Sequence, residues 1–212
     1  MEKSEKKVFL GISLLLGGLY TLISFIVATD AFRSIDLSSM QYLQVIFPRV
    51  VDVPFSYLSL FGSAEVMTIL VGIIFIGILL WKRQFFSGIF LYVLIVVIEL
   101  FGKLFIFHPP PPTLFNRYAL GFHLPSSFIV QTNFSYPSGH MARVAFLSVI
   151  AFVLTRKFIR SKKHRLTINI IIFSFATLVF ISRIYLGEHW LSDVLGGALL
   201  GGMLASISVV FW

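Results

Sequence analysis

Apolar and polar positions in this chain fall into long blocks instead of alternating along it. Six mainly apolar stretches run roughly over residues 8–28, 62–81, 85–107, 139–155, 166–184 and 190–211. Each is close to the ~20 residues that carry a helix across a bilayer. The pattern predicts an all-α, polytopic membrane protein: a bundle of six transmembrane helices. Two longer connections interrupt it. The first, roughly 29–61, is too polar to span yet rich in aromatic residues. It is expected to be an interfacial segment or short amphipathic helix between the first two spans, or else a plain connector. The second, roughly 108–138, opens with "HPPPP" and closes with "YPSG". Four consecutive prolines end the third helix and hold the chain beyond it extended.

The first apolar run has a basic start, as a signal peptide does, and "IVATDA" offers small residues for cleavage. The run from Val8 to about Ala28 is nonetheless longer than the ~7–15 residues of a signal core, so a retained first helix is expected.

Composition agrees with the pattern. Hydrophobic residues make up 58% and charged residues 12% of the chain, where a soluble domain is nearer half and a quarter. No polar block is long enough to fold separately, so residues 1–212 are read as one membrane domain. Cysteine is absent, which excludes disulfides and thiolate metal sites.

The net charge of +8 would suit nucleic acid, but its distribution points elsewhere. Eleven of the 17 Lys and Arg lie in three segments: Lys3, Lys6 and Lys7; Lys82 and Arg83; and Arg156, Lys157, Arg160, Lys162, Lys163 and Arg165. These are the N-terminus and alternate loops, as the positive-inside rule requires of one cytoplasmic side. Both termini are therefore expected in the cytoplasm, with a multi-pass chain in the plasma membrane. The partners expected are the bilayer and a lipid, not nucleic acid.

On this topology "GKLFIFHPPPP", "YPSGHMAR" and "SRIYLGEHWLSD" all reach the outer end of the bundle. Charge is costly inside a membrane, about 2.5–3.5 kcal/mol for a central Arg, Lys or Asp on insertion scales. Polar residues gathered at one end therefore suggest a site. In the last motif His189 and Asp193 are four apart and share a helical face. Asp193 can accept one imidazole proton and leave the other nitrogen free as nucleophile or base. Arg183 offers paired donors to a phosphate, and Gly187 suits the end of the fifth helix.

In "YPSGHMAR" the free N–H groups of a starting helix attract an anion. Gly139 lets backbone approach it, Ser138 can cap the helix, His140 can donate a proton, and Arg143 adds charge. Each motif alone also reads as an ordinary helix end: an N-cap with a satisfied histidine, or a His–Asp pair at the interface. A fixed four-residue pattern has a chance of roughly 10⁻⁵ per start position, so two at one membrane face argue for a shared purpose.

"PSGH", followed by Ser-Arg, five residues, His, three residues and Asp, resembles the type 2 phosphatidic acid phosphatase superfamily. That group includes membrane lipid phosphatases, bacterial acid phosphatases and vanadium haloperoxidases. The resemblance covers roughly residues 60–205. It implies a helical bundle, six membrane helices in the lipid-phosphatase branch, and hydrolysis without metal or other cofactor. By that likeness His189 attacks phosphorus to give a phosphohistidine, Asp193 orients it, and His140 protonates the leaving oxygen. Lys103, Ser138, the Gly139 amide and Arg183 would hold the phosphoryl oxygens.

The chain departs from the pattern once. The first motif of the family is Lys, six residues, then Arg-Pro; Lys103 and Pro111 match, but Pro110 stands where arginine is expected. Arg143, Arg117 and His108 are the candidate substitutes. Lys103 also has an ordinary reading, as the partner of Glu99 one turn earlier.

The function expected is a lipid phosphatase acting at the outer face on a polyprenyl diphosphate, phosphatidylglycerophosphate or phosphatidic acid. Its two histidines would need opposite protonation states and so a bell-shaped pH profile. The alternative, favoured by Pro110, is a weakly catalytic phospholipid-binding or transport protein on the same scaffold. A vanadate-dependent oxidase is disfavoured, because those relatives are soluble. Gly197 and Gly201 have helix-packing spacing, within the chain or in a dimer, and predict no particular oligomer.

Overall fold

Each apolar block of the sequence becomes a helix in the computed structural model, which describes residues 2–81, 86–122, 124 and 132–212. Lys82 and Arg83, expected on the cytoplasmic side, and residues 123 and 125–131 of the second connection lie outside the described residues. In chain order the helices are α1 (Lys3–Ala28), α2 (Arg33–Ile46), α3 (Asp52–Leu60), α4 (Ala64–Trp81), α5 (Phe86–Phe105), α6 (Gly139–Phe158), α7 (Lys162–Tyr185) and α8 (Leu191–Val210). Among the described residues there is no strand. By length and composition α1, α5, α7 and α8 can each cross a membrane. A fifth crossing is possible where Arg49–Leu60 and Ala64–Ile74 meet at a 42° bend.

α8 is the axis of the bundle, lying between α1 and α6 and also touching α5. Close approach requires residues without side chains at the contact. A Cβ on Gly197 would overlap the Ser138 carbonyl oxygen, and one on Gly201 would overlap the Ala142 carbonyl oxygen. The glycine spacing noted in the sequence is therefore used within the chain, to bring α8 against the start of α6. Ile95, Ala142, Val144, Leu200, Leu204 and Ala205 fill the interior beside this contact. Burying side chains of this kind contributes roughly 1.5–3 kcal/mol for each of the larger ones.

The connection between α1 and α4 is helical, as α2, a short 3-10 turn at Arg49–Val51, and α3. Asp36 and Met40 on α2 are buried, while Ile35, Tyr42, Val45 and Ile46 are exposed. Asp36 and Met40 thus face the bundle, while the outward side mixes those apolar residues with Arg33, Ser34, Ser38 and Gln41, a composition compatible with a helix at a membrane interface. Gln44 locks α2 down by donating to the carbonyls of Phe115 and Tyr185, both at 2.8 Å.

Two ends of the bundle differ in character. Arg156, at the end of α6, lies 3.7 Å from Glu5 at the start of α1, so the basic N-terminus and the basic α6–α7 turn share one end. The end of α5, the start of α6, the end of α7 and the start of α8 carry the polar motifs at the opposite end. Gly187 closes α7 with φ +70°, a conformation that disfavours a Cβ, and a Cβ there would also overlap the Phe115 carbonyl.

The packing predicts different costs for neighbouring glycines. Gly201→Ala must push α6 from α8 and is expected to cost about 1–3 kcal/mol. Gly202→Ala meets only the tip of Leu16, at 3.1 Å, and is expected to be tolerated. Thermal unfolding of the two variants in one detergent checks the contrast.

Candidate active site

The site begins with an i,i+4 pair on the last turns of α5. Lys103 Nζ donates to Glu99 Oε1 at 2.7 Å, and from α6 Arg143 Nη1 donates to Glu99 Oε2, also at 2.7 Å. Arg143 Nε further donates to the Gly62 carbonyl at 3.3 Å, at the turn between α3 and α4. Glu99 and Arg143 are buried. The Glu99–Lys103 pair anticipated from spacing is thus present, but the carboxylate serves two cations. It also lies over the start of α6, where a Cβ on Gly139 would overlap it. Gly139 therefore leaves room for an anionic group directly above the first N–H groups of that helix.

The second half of the site is organised by Asp193. Its Oδ2 lies 3.3 Å from His189 Nδ1 and accepts the Trp190 N–H at 3.0 Å. Its backbone carbonyl accepts the Ser138 N–H at 2.9 Å. One residue thus orients the histidine and fixes the turn that opens α6. With Nδ1 turned to the carboxylate, Nε2 is the free nitrogen of His189. The rings of His189 and His140 are 6.5 Å apart between centroids, so the two imidazoles share one corner of the site.

Arg183 approaches from the end of α7, held by the Ser59 hydroxyl of α3 and by the Glu188 carboxylate. It is buried, and its Nε has no hydrogen-bond partner among the described residues. The fully buried hydroxyl of Ser138 lacks one as well. Ser138 occupies the N-cap position but its side chain does not cap, unlike the capping role its spacing suggests. Unpaired buried donors are costly. One of these donors lies two residues before His140 and the other on the residue whose carbonyl accepts the His189 N–H at 3.2 Å; together they describe a place prepared for an anion.

Electrostatics reinforce this. Burial first, and then the Arg183 guanidinium and Lys103, hold the His189 imidazole well below the ordinary histidine range. The ring is therefore neutral at pH 7, with a lone pair available.

The three candidate stand-ins for the missing arginine lie in different places. Arg143 shares a carboxylate with Lys103. Arg117 donates to the Tyr185 hydroxyl at 3.0 Å and lies over that ring at 5.1 Å. His108 sits on the far side of Asp193, with Nε2 at 3.5 Å from Oδ1. Pro110 belongs to the wall of a neighbouring cavity with Trp190, whose indole donates to the Pro109 carbonyl at 2.8 Å.

Sequence reasoning passed over Ser59 and Glu188 and treated Glu99 only as a partner for Lys103. The signals were present. A glutamate interrupts the apolar run "VVIELF", and "SLFGSAE" breaks another at the bend from α3 into α4. Ser59, in that break, reaches the site.

A family model described as the PAP2 superfamily matches residues 84–212. The chain belongs to the PAP2 superfamily. All three quoted motifs fall within the matched region. Two curated relatives share shorter stretches. The phosphatidylglycerophosphatase B of Bacillus subtilis is 44% identical over 75 residues, 35% of this chain and 37% of that protein. The undecaprenyl-diphosphatase of Sulfolobus acidocaldarius is 40% identical over 78 residues, 37% of this chain and 34% of that protein. The matched stretches thus span only about a third of each relative. The fold extends further. A crystal structure of a transmembrane PAP2-type phosphatidylglycerolphosphate phosphatase from Bacillus subtilis superposes with a TM-score of 0.67, over 93% of this chain and 94% of that one, at 23% identity. Aquifex aeolicus LpxE gives 0.56 over 82% and 94%, at 22% identity.

The geometry predicts that Glu99→Gln leaves two cations facing each other. Breaking a buried pair costs about 3–5 kcal/mol, and the partial exposure of Lys103 reduces that figure. A lower melting temperature is expected. Added inorganic phosphate should raise it more than in the wild type, because the freed cations bind the anion.

Proposed function

We propose that the protein is a membrane lipid phosphatase, its site built to hold a phosphoryl group beside His189 and His140. The observation that carries this reading is the pair of buried donors on Ser138 and Arg183 that have no partner among the described residues, in a site where the rings of His189 and His140 lie 6.5 Å apart between centroids. Phosphoryl transfer asks little covalent chemistry of a protein and much positioning and positive charge.

The reaction runs in two steps. The Nε2 lone pair of His189 forms a P–N bond as the P–O bond to the lipid breaks, and His140 gives its proton to the departing oxygen. Water then attacks phosphorus, His140 takes a proton from it, and the P–N bond breaks to return the pair to His189. Asp193 holds Nδ1–H throughout. Ser138, the Gly139 amide, Arg183 and Lys103 bind the phosphoryl oxygens, with Arg143 serving where the family has its first-motif arginine. Histidine, serine and guanidinium groups suffice for these steps without a metal.

The names of the curated relatives support phosphatidylglycerophosphate or a polyprenyl diphosphate as substrate; phosphatidic acid is the third candidate, from the resemblance of the motifs. The topology proposed has six crossings, counting α4 and α6 beside the four helices long and apolar enough by themselves, with the termini and the basic α6–α7 turn in the cytoplasm. The site then opens at the outer face of the plasma membrane. A second reading rests on Pro110 and on the engagement of both Lys103 and Arg143 by Glu99. It is a lipid-phosphate binding or transport protein on this scaffold.

Phosphate release from these three lipids separates the readings. The wild type is expected to turn over at least one, with His189→Ala slower by about 10³-fold or more. Equal rates for the two proteins contradict the assignment. Saturable binding without turnover across about pH 5–9 favours the second reading. Because the folded environment depresses the proton affinity of His189, protonation should silence it only at acid pH. The acid limb of kcat/KM assigned to His189 is expected below the usual histidine value of about 6.5.

A further inference from the structure

Behind the nucleophile lies a second set of buried polar groups that neither step of the reaction uses. His108, in the segment before the proline run, has its Nε2 3.0 Å from the Ser192 hydroxyl, 3.5 Å from Asp193 Oδ1 and 3.6 Å from Asp36 Oδ2. The Ser192 hydroxyl donates to Asp36 Oδ2 at 2.7 Å, and the Ser192 N–H donates to Asp36 Oδ1 at 2.8 Å. All four residues are buried, Ser192 and Asp193 fully. The segment is held in place, since the N–H and hydroxyl of Ser135 both donate to the His108 carbonyl, at 2.9 and 3.1 Å.

Counting protons fixes the direction of the chain. Ser192 has one hydroxyl proton, and it is spent on Asp36. Toward His108 the same oxygen can only accept, so Nε2 must carry the hydrogen. Burial holds the His108 imidazole below the ordinary histidine range, so at pH 7 the ring is neutral and Nδ1 bears the lone pair. Consistently, Nδ1 has no hydrogen-bond partner among the described residues. The single N–H of His108 therefore faces Ser192 and the oxygen of Asp193 that His189 does not use. At 3.5 Å the contact with Asp193 Oδ1 is no hydrogen bond, and that oxygen has no hydrogen-bond partner among the described residues. The N–H facing it stabilises the carboxylate as an anion through charge, and a carboxylate kept ionised favours the tautomer of His189 that donates to it.

We propose that His108 and Asp36 are positioning residues for the nucleophile, linked through Ser192 into a buried chain. It fixes Asp193, and through it the tautomer of His189, from the surface helix α2. The inference rests on the phosphatase reading for its kinetic consequence but not for its structural one.

Asp36→Asn tests it with little change of shape. With Oδ1 taken by the Ser192 N–H, the new amide nitrogen faces the Ser192 hydroxyl and donates to it. Ser192 then turns its proton to His108 Nε2, and His108 presents a lone pair to Asp193. We expect kcat on the lipid phosphate to fall about 10-fold, a loss typical of an outer-shell partner, with KM within about two-fold. His108→Leu should behave alike, and His108→Gln, which keeps an N–H near the same point, should recover most of the rate. The ¹⁵N imidazole signals of His189 give a readout independent of turnover. The wild type and His108→Gln should show the proton on Nδ1, while Asp36→Asn and His108→Leu should show a mixture of tautomers. Should His108→Leu fail to fold, Asp36→Asn decides the matter. Unchanged kcat and an unchanged His189 tautomer in Asp36→Asn would overturn the proposal. If the wild type itself is inactive, the phosphatase reading fails and the tautomer signals alone decide the chain.

Discussion

The site depends on a single residue making two kinds of contact. Asp193 holds the His189 ring with its carboxylate and the Ser138 turn with its backbone carbonyl. The two motifs are some fifty residues apart in sequence, yet one helical turn at the start of α8 sets their relative position. That turn can reach the start of α6 only because Gly197 and Gly201 let the two helices close together. Backbone packing in the bundle and side-chain geometry at the site are therefore one constraint. An error in the helix contact would appear directly as a misplaced imidazole.

Charge is managed in pairs around this frame. Lys103 and Arg143 share Glu99, and Arg183 takes Glu188 together with the Ser59 hydroxyl. Buried cations without partners would destabilise the fold severely, and the two glutamates remove that cost while no anion is bound. They leave the cations fixed in direction, as a binding site for a phosphoryl group requires. Protein carboxylates thus stand beside the positions proposed for phosphate oxygens. In the proposed reaction the incoming group shares or displaces those contacts, so Glu99 and Glu188 set how much of the cationic charge the substrate feels.

Much of this was legible in the chain. Apolar blocks gave the long helices of the bundle, because lipid demands extended apolar runs. The i,i+4 spacings of Glu99–Lys103 and His189–Asp193 gave two contacts that are present. Spacing could not show which partners arrive from elsewhere. Arg143 meets Glu99 across 44 residues, Ser59 meets Arg183 across 124, and Asp36 meets Ser192 across 156. Such contacts follow from how helices stack, and local periodicity does not encode that. Ser138 shows the opposite failure. Its position implied a cap, but its amide is committed to Asp193 and its hydroxyl has no partner among the described residues. The same limit applied to His108, which looked like a cation for phosphate and lies behind the carboxylate.

The central claim is that His189 receives the phosphoryl group before water does. Its most direct test is the stereochemical course of hydrolysis of a lipid substrate chiral at phosphorus. Two successive in-line displacements through His189 require overall retention of configuration. Inversion would mean that water attacks the lipid phosphate in one step, and the account of His189 as nucleophile would be wrong.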